Sequence, residues 1–435
     1  MTYEEALKYI HSVNWRGSKL GLDRTRELLA NMGNPEKELR FIHIAGTNGK
    51  GSVAAMLASV LKEAGYKTGL YTSPYIISFN ERMQVNGSPI KNSELAELTS
   101  YISQFAGVMS DPPTEFELIT ALAFEFFYRK GCDIVVLETG MGGELDSTNV
   151  IGTPELAIIT AIGYDHTREL GSTMREIASA KAGIIKPNGT VLFFGENADA
   201  EKVIRQRCAS VRSELFMPDF NELKIDEIRI DRLSFDFKKY SGISIPLTGV
   251  YQFKNAAMTL SAIDLLIYKG RNISAEAVKK GLAEVKWRGR FEILAREPLF
   301  ISDGGHNPQG VTAAVDSFKT HFPNQKGIFL IGIMADKDID AMTAPIAKVA
   351  SCFITVTPDN PRAMPAEELK RRLSKYDLPV TACSSVLEGV KKAFSVAGKG
   401  GIVFSIGSLF LYREVLASVN CVNNSDSIPL PRGGS

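Results

Sequence analysis

The residues with the most chemical promise are Gly46-Thr-Asn-Gly-Lys-Gly-Ser52, which directly follow the apolar run Phe41–Ala45. A strand, a glycine-rich turn and a helix in that order aim successive backbone N–H groups and a helix's positive end at one point, where a polyphosphate binds. Lys50 adds a point charge for the outer phosphates, and Ser52 adds a hydroxyl suited to Mg²⁺. Gly51 separates the two, a departure from the common P-loop spacing. A βα turn that only packs tightly would explain a lone Gly-x-x-Gly, but not Lys and Ser in register with it. Nucleotide binding is therefore expected.

Further reactive types stand at other strand ends, where doubly wound sheets bind ligands. Tyr71-Thr-Ser-Pro74 closes one strand and offers Thr72 and Ser73. Glu138 ends another and runs into Thr139–Asn149, read as a loop flexible enough to wrap phosphates or metal. Asp165-His166 follows the run Leu156–Ala161. Carboxylate, hydroxyl and imidazole suit a hard cation shared with phosphate, although a single histidine after a strand also serves as a plain hydrogen-bonder. Lys181 admits two readings. It is a surface charge, or a buried lysine that loses its proton beside Mg²⁺ and takes up CO₂ as a carbamate. In the second half, Asp303 and His306 sit where a strand gives way to a tight turn and a Pro308-started helix, with Asn307 suited to cap it.

These residues need a scaffold of alternating strands and helices, and the chain supplies one. Residues 1–39 read as amphipathic helix, with Ala6, Leu7, Ile10, Leu28 and Leu29 packing. Apolar strands follow at 67–71, 133–138, 156–161 and 190–194, with helices at 115–130 and 173–182. Continuous apolar strands alternating with helices predict a parallel, doubly wound sheet. From 224 to 248 apolar residues, among them Ile225, Ile228, Ile230, Leu233, Phe235 and Phe237, interleave with polar ones as in half-buried antiparallel strands, and a small antiparallel sheet against the first domain is expected. A helix over 254–268 and a charged connection at Trp287–Arg290 lead to a second α/β series with strands at 299–303, 327–333, 352–357 and 401–406. The boundary is expected near 290–298, giving domains over 1–292 and 298–418 and a mobile tail over 419–435.

Composition excludes several classes. Hydrophobic residues at 44% and charged residues at 23% are ordinary for a globular chain, and a net charge of +1 offers nucleic acid or an anionic membrane nothing to hold. Five scattered cysteines without a C-x-x-C pair fit a reducing compartment. The acidic start Met1-Thr-Tyr-Glu-Glu is unlike a signal peptide, and a cytoplasmic enzyme is expected.

Taken together, the segments resemble the folylpolyglutamate synthase/dihydrofolate synthase family of Mur-type ATP-dependent ligases. They are Gly46–Ser52, Tyr71–Pro74, Phe79-Asn-Glu-Arg82, Glu138–Gly143, Asp146–Asn149, Asp165-His166, Lys181–Lys186, Gln252 with Asn255, Arg290, Asp303–Pro308, Asp336–Asp338 and Pro361–Ala363. The resemblance spans about residues 3–415. It implies a P-loop-type doubly wound N-terminal ATPase domain with a small antiparallel sheet, joined to a Rossmann-like C-terminal domain. Lys50 and the amides of Thr47, Asn48, Gly49, Gly51 and Ser52 would hold the β- and γ-phosphates, and Asn255, Arg290 and Asp303 would also hold ATP. Ser52, Ser73 and Glu138 would bind one Mg²⁺. Glu138, His166 and a carbamylated Lys181 would bind a second, and the family chemistry also allows K⁺. Ser73, Pro74, Arg82 and Asp146 would face folate, and His306 the phosphate or the incoming glutamate.

The implied reaction joins L-glutamate to tetrahydrofolate, and to dihydropteroate as well, through an acyl phosphate in a monomeric enzyme. Three departures stand out: Gly305 for the usual Ala, Arg288 for Pro, and Glu144 where Arg is common. Two other readings stay open at this point, a wall-precursor amino-acid ligase of the same superfamily and a nucleotide-binding switch that ligates nothing.

Overall fold

The computed structural model describes residues 1–12 and 21–425, organised as two compact units. The first comprises Met1–Glu227, Ser234–Pro246 and Phe253–Lys286; the second takes Ile228–Leu233, Leu247–Gln252 and the chain from Trp287 onward.

The first unit is built on an eight-stranded sheet. Its strands are β1 (Phe41–Ala45), β2 (Thr68–Tyr71), β3 (Met83–Val85), β4 (Ser88–Pro89), β5 (Ile134–Glu138), β6 (Leu156–Ile159), β7 (Thr190–Phe193) and β8 (Glu214–Phe216). Their order is β4-β3-β2-β5-β1-β6-β7-β8, with β2 through β8 parallel and β3 and β4 antiparallel at one edge. Every residue of β1, β5, β6 and β7 is buried, which is why their sequences run apolar rather than alternating. Register decides what this sheet can do. Ile44 pairs with Glu138 and Ala45 with Ile159, so the carboxyl ends of β1, β5 and β6 end together. The chain leaves β1 toward β2 on one side and β6 toward β7 on the other, which makes β1 the point where the winding reverses and a crevice opens.

Two helices at the start of the chain, Tyr3–Ser12 and Asp23–Asn31, bury Ala6 and Ile10, and Leu28 and Leu29, respectively. Part of the helix expected over 1–39 falls on residues 13–20, outside the described residues.

The antiparallel stretch is a three-stranded sheet, β9 (Leu223–Arg229), β10 (Arg232–Phe237) and β11 (Tyr240–Ile245), in the order β11-β10-β9. Leu233, Phe235 and Phe237 are buried as expected, but Ile225 is 53% exposed and Ile228 is exposed as well. The buried alternation holds on β10, whereas β9 is an edge strand that leaves Ile225 and Ile228 exposed.

The second unit holds β12 (Glu292–Arg296), β13 (Leu299–Ser302), β14 (Gly327–Ile331), β15 (Ala350–Thr355), β16 (Val380–Ala382) and β17 (Ile402–Ile406). Their order is β12-β13-β17-β14-β15-β16, parallel except for β12. Phe291, Phe318, Phe329 and Phe404 stack within its core. Residues 292–296, read as connection, instead form the edge strand β12 against β13. Part of the stretch expected as a mobile tail instead belongs to the last helix, which runs Leu409–Ser425 with Val419 fully buried, and residues 426–435 lie outside the described residues. No helix among the described residues is long and apolar enough to cross a membrane.

Candidate active site

The turn after β1 folds as its glycines demand. A Cβ on Gly46 would lie 1.9 Å from Thr160 Oγ1, and Gly49 combines φ +92° with a site 2.6 Å from Asn255 Oδ1. Only glycine permits both the left-handed backbone and the close approach. Asn255, on the helix Gln252–Tyr268, is thereby placed directly against the turn. The amides of Thr47 and Asn48 both donate to Ala161 O, at 2.8 and 3.1 Å, while Thr47 Oγ1 exchanges hydrogen bonds with Gly163. These two residues strap the turn to the end of β6. The helix Lys50–Glu63 begins just beyond them, and its first N–H groups have no intrahelical acceptor. Gly49→Ala is expected to cost about 1–3 kcal/mol of stability and about 100-fold in ATP turnover through misplacement of the turn. Chemical denaturation and phosphate release read the two effects, and a variant matching wild type in both would refute this account of Gly49.

Three chemical groups meet beside that helix end. Lys50 Nζ lies 3.8 Å from Glu138 Oε1, and the Ser73 amide donates to Glu138 Oε2 at 3.2 Å. The bond between Ser73 and Pro74 is cis. Lys181 is buried and donates to Gly46 O at 2.8 Å. Burial, reinforced by the positive charge of Lys50, brings its amine down to about 7. The surface reading of Lys181 is thus excluded. His166 stands exposed on left-handed backbone at the start of a short helix, with Asp165 accepting its amide proton. Among the described residues no three His, Cys, Asp or Glu side chains form a ready metal cage. What stands here is one buried carboxylate with nearby serine residues, a donor set that suits a cation finishing its shell with phosphate and water.

The loop after Glu138 is pinned rather than free to wrap a ligand. Asp146 is buried and accepts from the Met141 amide at 2.8 Å, the Thr148 amide at 3.1 Å and Thr148 Oγ1 at 2.5 Å. Burial pushes its carboxyl above the ordinary aspartate range. Asn149 Nδ2 donates to Glu144 O and Gly183 O, and a Cβ on Gly143 would stand 2.9 Å from the carbonyls of Ala180 and Lys181. Close packing on the helix Met174–Ala182 ties this loop to the Lys181 element. In the same unit, the Arg82 guanidinium packs on the rings of Tyr75 and Phe79 at 5.3 and 5.7 Å. Its Nε and Nη1 are buried with no hydrogen-bond partner among the described residues.

The second unit carries its own cluster. Asp303 Oδ2 accepts from Tyr251 Oη at 2.6 Å and the Phe291 amide at 2.9 Å, and Oδ1 from the Gly305 amide at 2.7 Å. Burial raises its carboxyl, with Arg290 opposing the shift. A Cβ on Gly304 would lie 2.7 Å from Arg290 Nη1, which sets the guanidinium over this turn. His306 Nδ1 is 2.9 Å from Gly304 O and donates to it. Asn307 caps the helix Pro308–His321 through the Gly310 amide. Tyr251 is the functional-site neighbour that sequence reading missed. Its only signal was proximity to Gln252.

Comparison with known proteins bears on this geometry. Residues 44–263 match the Mur ligase middle domain, and residues 289–409 the Mur ligase glutamate ligase domain. The chain is 36% identical to the dihydrofolate synthase/folylpolyglutamate synthase of Bacillus subtilis, over 95% of this chain and 98% of that one. It belongs to the folylpolyglutamate synthase/dihydrofolate synthase family of Mur ligases. Members include the folylpolyglutamate synthase of Lacticaseibacillus casei, 33% identical over 84% of this chain and 88% of that relative. Among solved structures, Mycobacterium tuberculosis folylpolyglutamate synthase complexed with ADP and AMPPCP superposes with a TM-score of 0.86 at 27% identity, covering 98% of this chain and 100% of that one. Family membership makes this chain an ATP-dependent, amide-bond-forming ligase.

Proposed function

We propose that the chain joins L-glutamate to reduced folate, tetrahydrofolate first and dihydropteroate as well, through an acyl phosphate. The observation that carries this reading is the meeting of Lys50, Glu138 and Ser73 at one sheet edge in a chain so similar to a dihydrofolate synthase/folylpolyglutamate synthase. A substrate carboxylate oxygen attacks the γ-phosphorus of ATP and ADP leaves. The glutamate amine then attacks the acyl carbon and phosphate leaves. Phosphoryl transfer needs positioning and charge neutralisation more than covalent help.

In this reading Lys50 and the amides of Gly49, Gly51 and Ser52 hold the outer phosphates, and Thr47 and Asn48 keep the turn in place. Asn255, Arg290 and Asp303 serve ATP, and His306 presents Nε2 to the phosphate or to glutamate. Ser73, Pro74, Arg82 and Asp146 serve the folate site. Mg²⁺ supplies the neutralisation that lets an anionic carboxylate approach an anionic triphosphate. Ser52, Ser73 and Glu138 would hold one ion, and Glu138, His166 and carbamylated Lys181 a second. The enzyme is proposed to act as a cytoplasmic monomer.

The test is phosphate release from MgATP and L-glutamate with dihydropteroate or tetrahydrofolate supplied separately, and products weighed by mass spectrometry. A glutamyl increment on both pterins is expected. An increment on tetrahydrofolate alone would remove the dihydropteroate half of the reading, and none on either would overturn it.

A further inference from the structure

His43 lies in the middle of β1, fully buried, and the nucleotide chemistry described above makes no use of it. Its Nε2 is 2.8 Å from Thr148 Oγ1, which in turn donates to Asp146 Oδ1. Asp146 receives backbone N–H groups on both oxygens and is therefore the acceptor end of this chain. Thr148 has one hydroxyl proton, committed to Asp146, so His43 Nε2 must carry a proton and donate. Its Nδ1 then holds a lone pair, and that atom is buried without a partner among the described residues. Burial keeps the ring neutral, its pKa lowered to about 3. The relay thus runs in one direction, from β1 across the sheet edge into the loop that Asp146 pins.

We propose that His43 is a positioning residue for the folate substrate, acting through Thr148 to hold Asp146 and the 140–149 loop in the geometry the folate site uses. The inference rests on the proposed placement of folate at that loop. A buried donor that satisfies a hydroxyl already committed elsewhere fixes that hydroxyl's rotamer, and with it the carboxylate the hydroxyl serves. The carboxyl end of β1 matters for the test. Gly46 follows Ala45 directly, so general damage to this strand would reach the ATP site as readily as the folate site.

The experiment measures KM for tetrahydrofolate and for ATP in parallel across relay variants. Thr148→Val keeps the shape and removes the hydroxyl, and His43→Leu removes the donor. Each is expected to raise the folate KM about tenfold, with the ATP KM within about twofold and no further loss in the double variant. Thr148→Ser and His43→Gln, which retain a hydroxyl and a donor, are expected to restore most of the affinity. Equal rises in both KM values would overturn the proposal in favour of a structural role, as would wild-type folate KM in Thr148→Val. Asp146→Asn separates the two layers. If it raises the folate KM while His43→Leu and Thr148→Val do not, the relay fails and the folate placement stands. If Asp146→Asn also leaves the folate KM unchanged, the folate placement itself fails.

Discussion

Lys50→Ala is expected to lower ATP-dependent ligation by about 1000-fold or more, in the range seen when a single preorganised charge is withdrawn from a developing anionic centre. The ammonium group sits at the first residue of its helix, 3.8 Å from the buried Glu138 carboxylate. Its loss removes the side-chain charge nearest the proposed phosphates and leaves Glu138 buried without that counter-charge. The helix-end amides remain and keep a weak hold on nucleotide, so ATP affinity should fall less than turnover. Lys50→Arg keeps the charge but swaps a compact ammonium for a wide planar fork, which the tight turn at Gly49 has no room to reposition; partial activity is expected. A second consequence is electrostatic. The charge of Lys50 helps hold the Lys181 amine down to about 7, so Lys50→Ala should raise the Lys181 pKa. Steady-state phosphate release and nucleotide titration measure both parts, and near-normal turnover in Lys50→Ala would refute the P-loop assignment.

Most of the sheet that carries this chemistry was legible because its strands are buried on both faces. Phe41–Ala45, Ile134–Glu138 and Leu156–Ile159 are continuous apolar runs, and such runs read as parallel core strands without help from periodicity. The strands that escaped notice, β3, β4, β8 and β16, are two or three residues long and too short to show any period. β12 was hidden for another reason. Glu292–Arg296 is half-exposed on an edge, and its sequence carries as much charge as a linker.

Within the site, the reactive types could be read from order alone, since a residue at the end of a buried strand must stand at the carboxyl edge of the sheet. What order cannot give is which polar atoms are already taken. The amides of Thr47 and Asn48 already donate to Ala161 O, and the glycine-rich 140–149 loop looks mobile until Asp146 and Asn149 pin it. Tyr251 escaped for the same reason. Its pairing with Asp303 joins positions 52 apart in sequence, and no local pattern announces it.

Those hidden commitments also sharpen the prediction for Lys181, a basic side chain buried against the nucleotide turn. Its amine donates to Gly46 O, and desolvation with Lys50 nearby favours the uncharged form. An uncharged amine can attack CO₂: the nitrogen lone pair forms the N–C bond, one proton leaves, and a carbamate with two oxygens results. Lys181→Ala is expected to fold and to lose about 1000-fold in ligation, with partial recovery on adding formate or acetate, whose carboxylate fills the vacated space. Lys181→Arg, permanently charged, should be as inactive and gain nothing from either anion. In the wild-type protein, ¹³C-labelled bicarbonate should give a carbamate resonance that is absent from Lys181→Ala. The dependence on bicarbonate should grow as pH falls through about 7, because the neutral amine is then depleted. Stability follows the same protons. Between about 7 and the ordinary lysine value of 10.5 the unfolded chain binds more protons here than the folded one, so the contribution of Lys181 to stability rises with pH across that window. An inactive Lys181→Ala that no small carboxylate restores, together with no carbamate signal in wild type, would leave the amine itself as the working group.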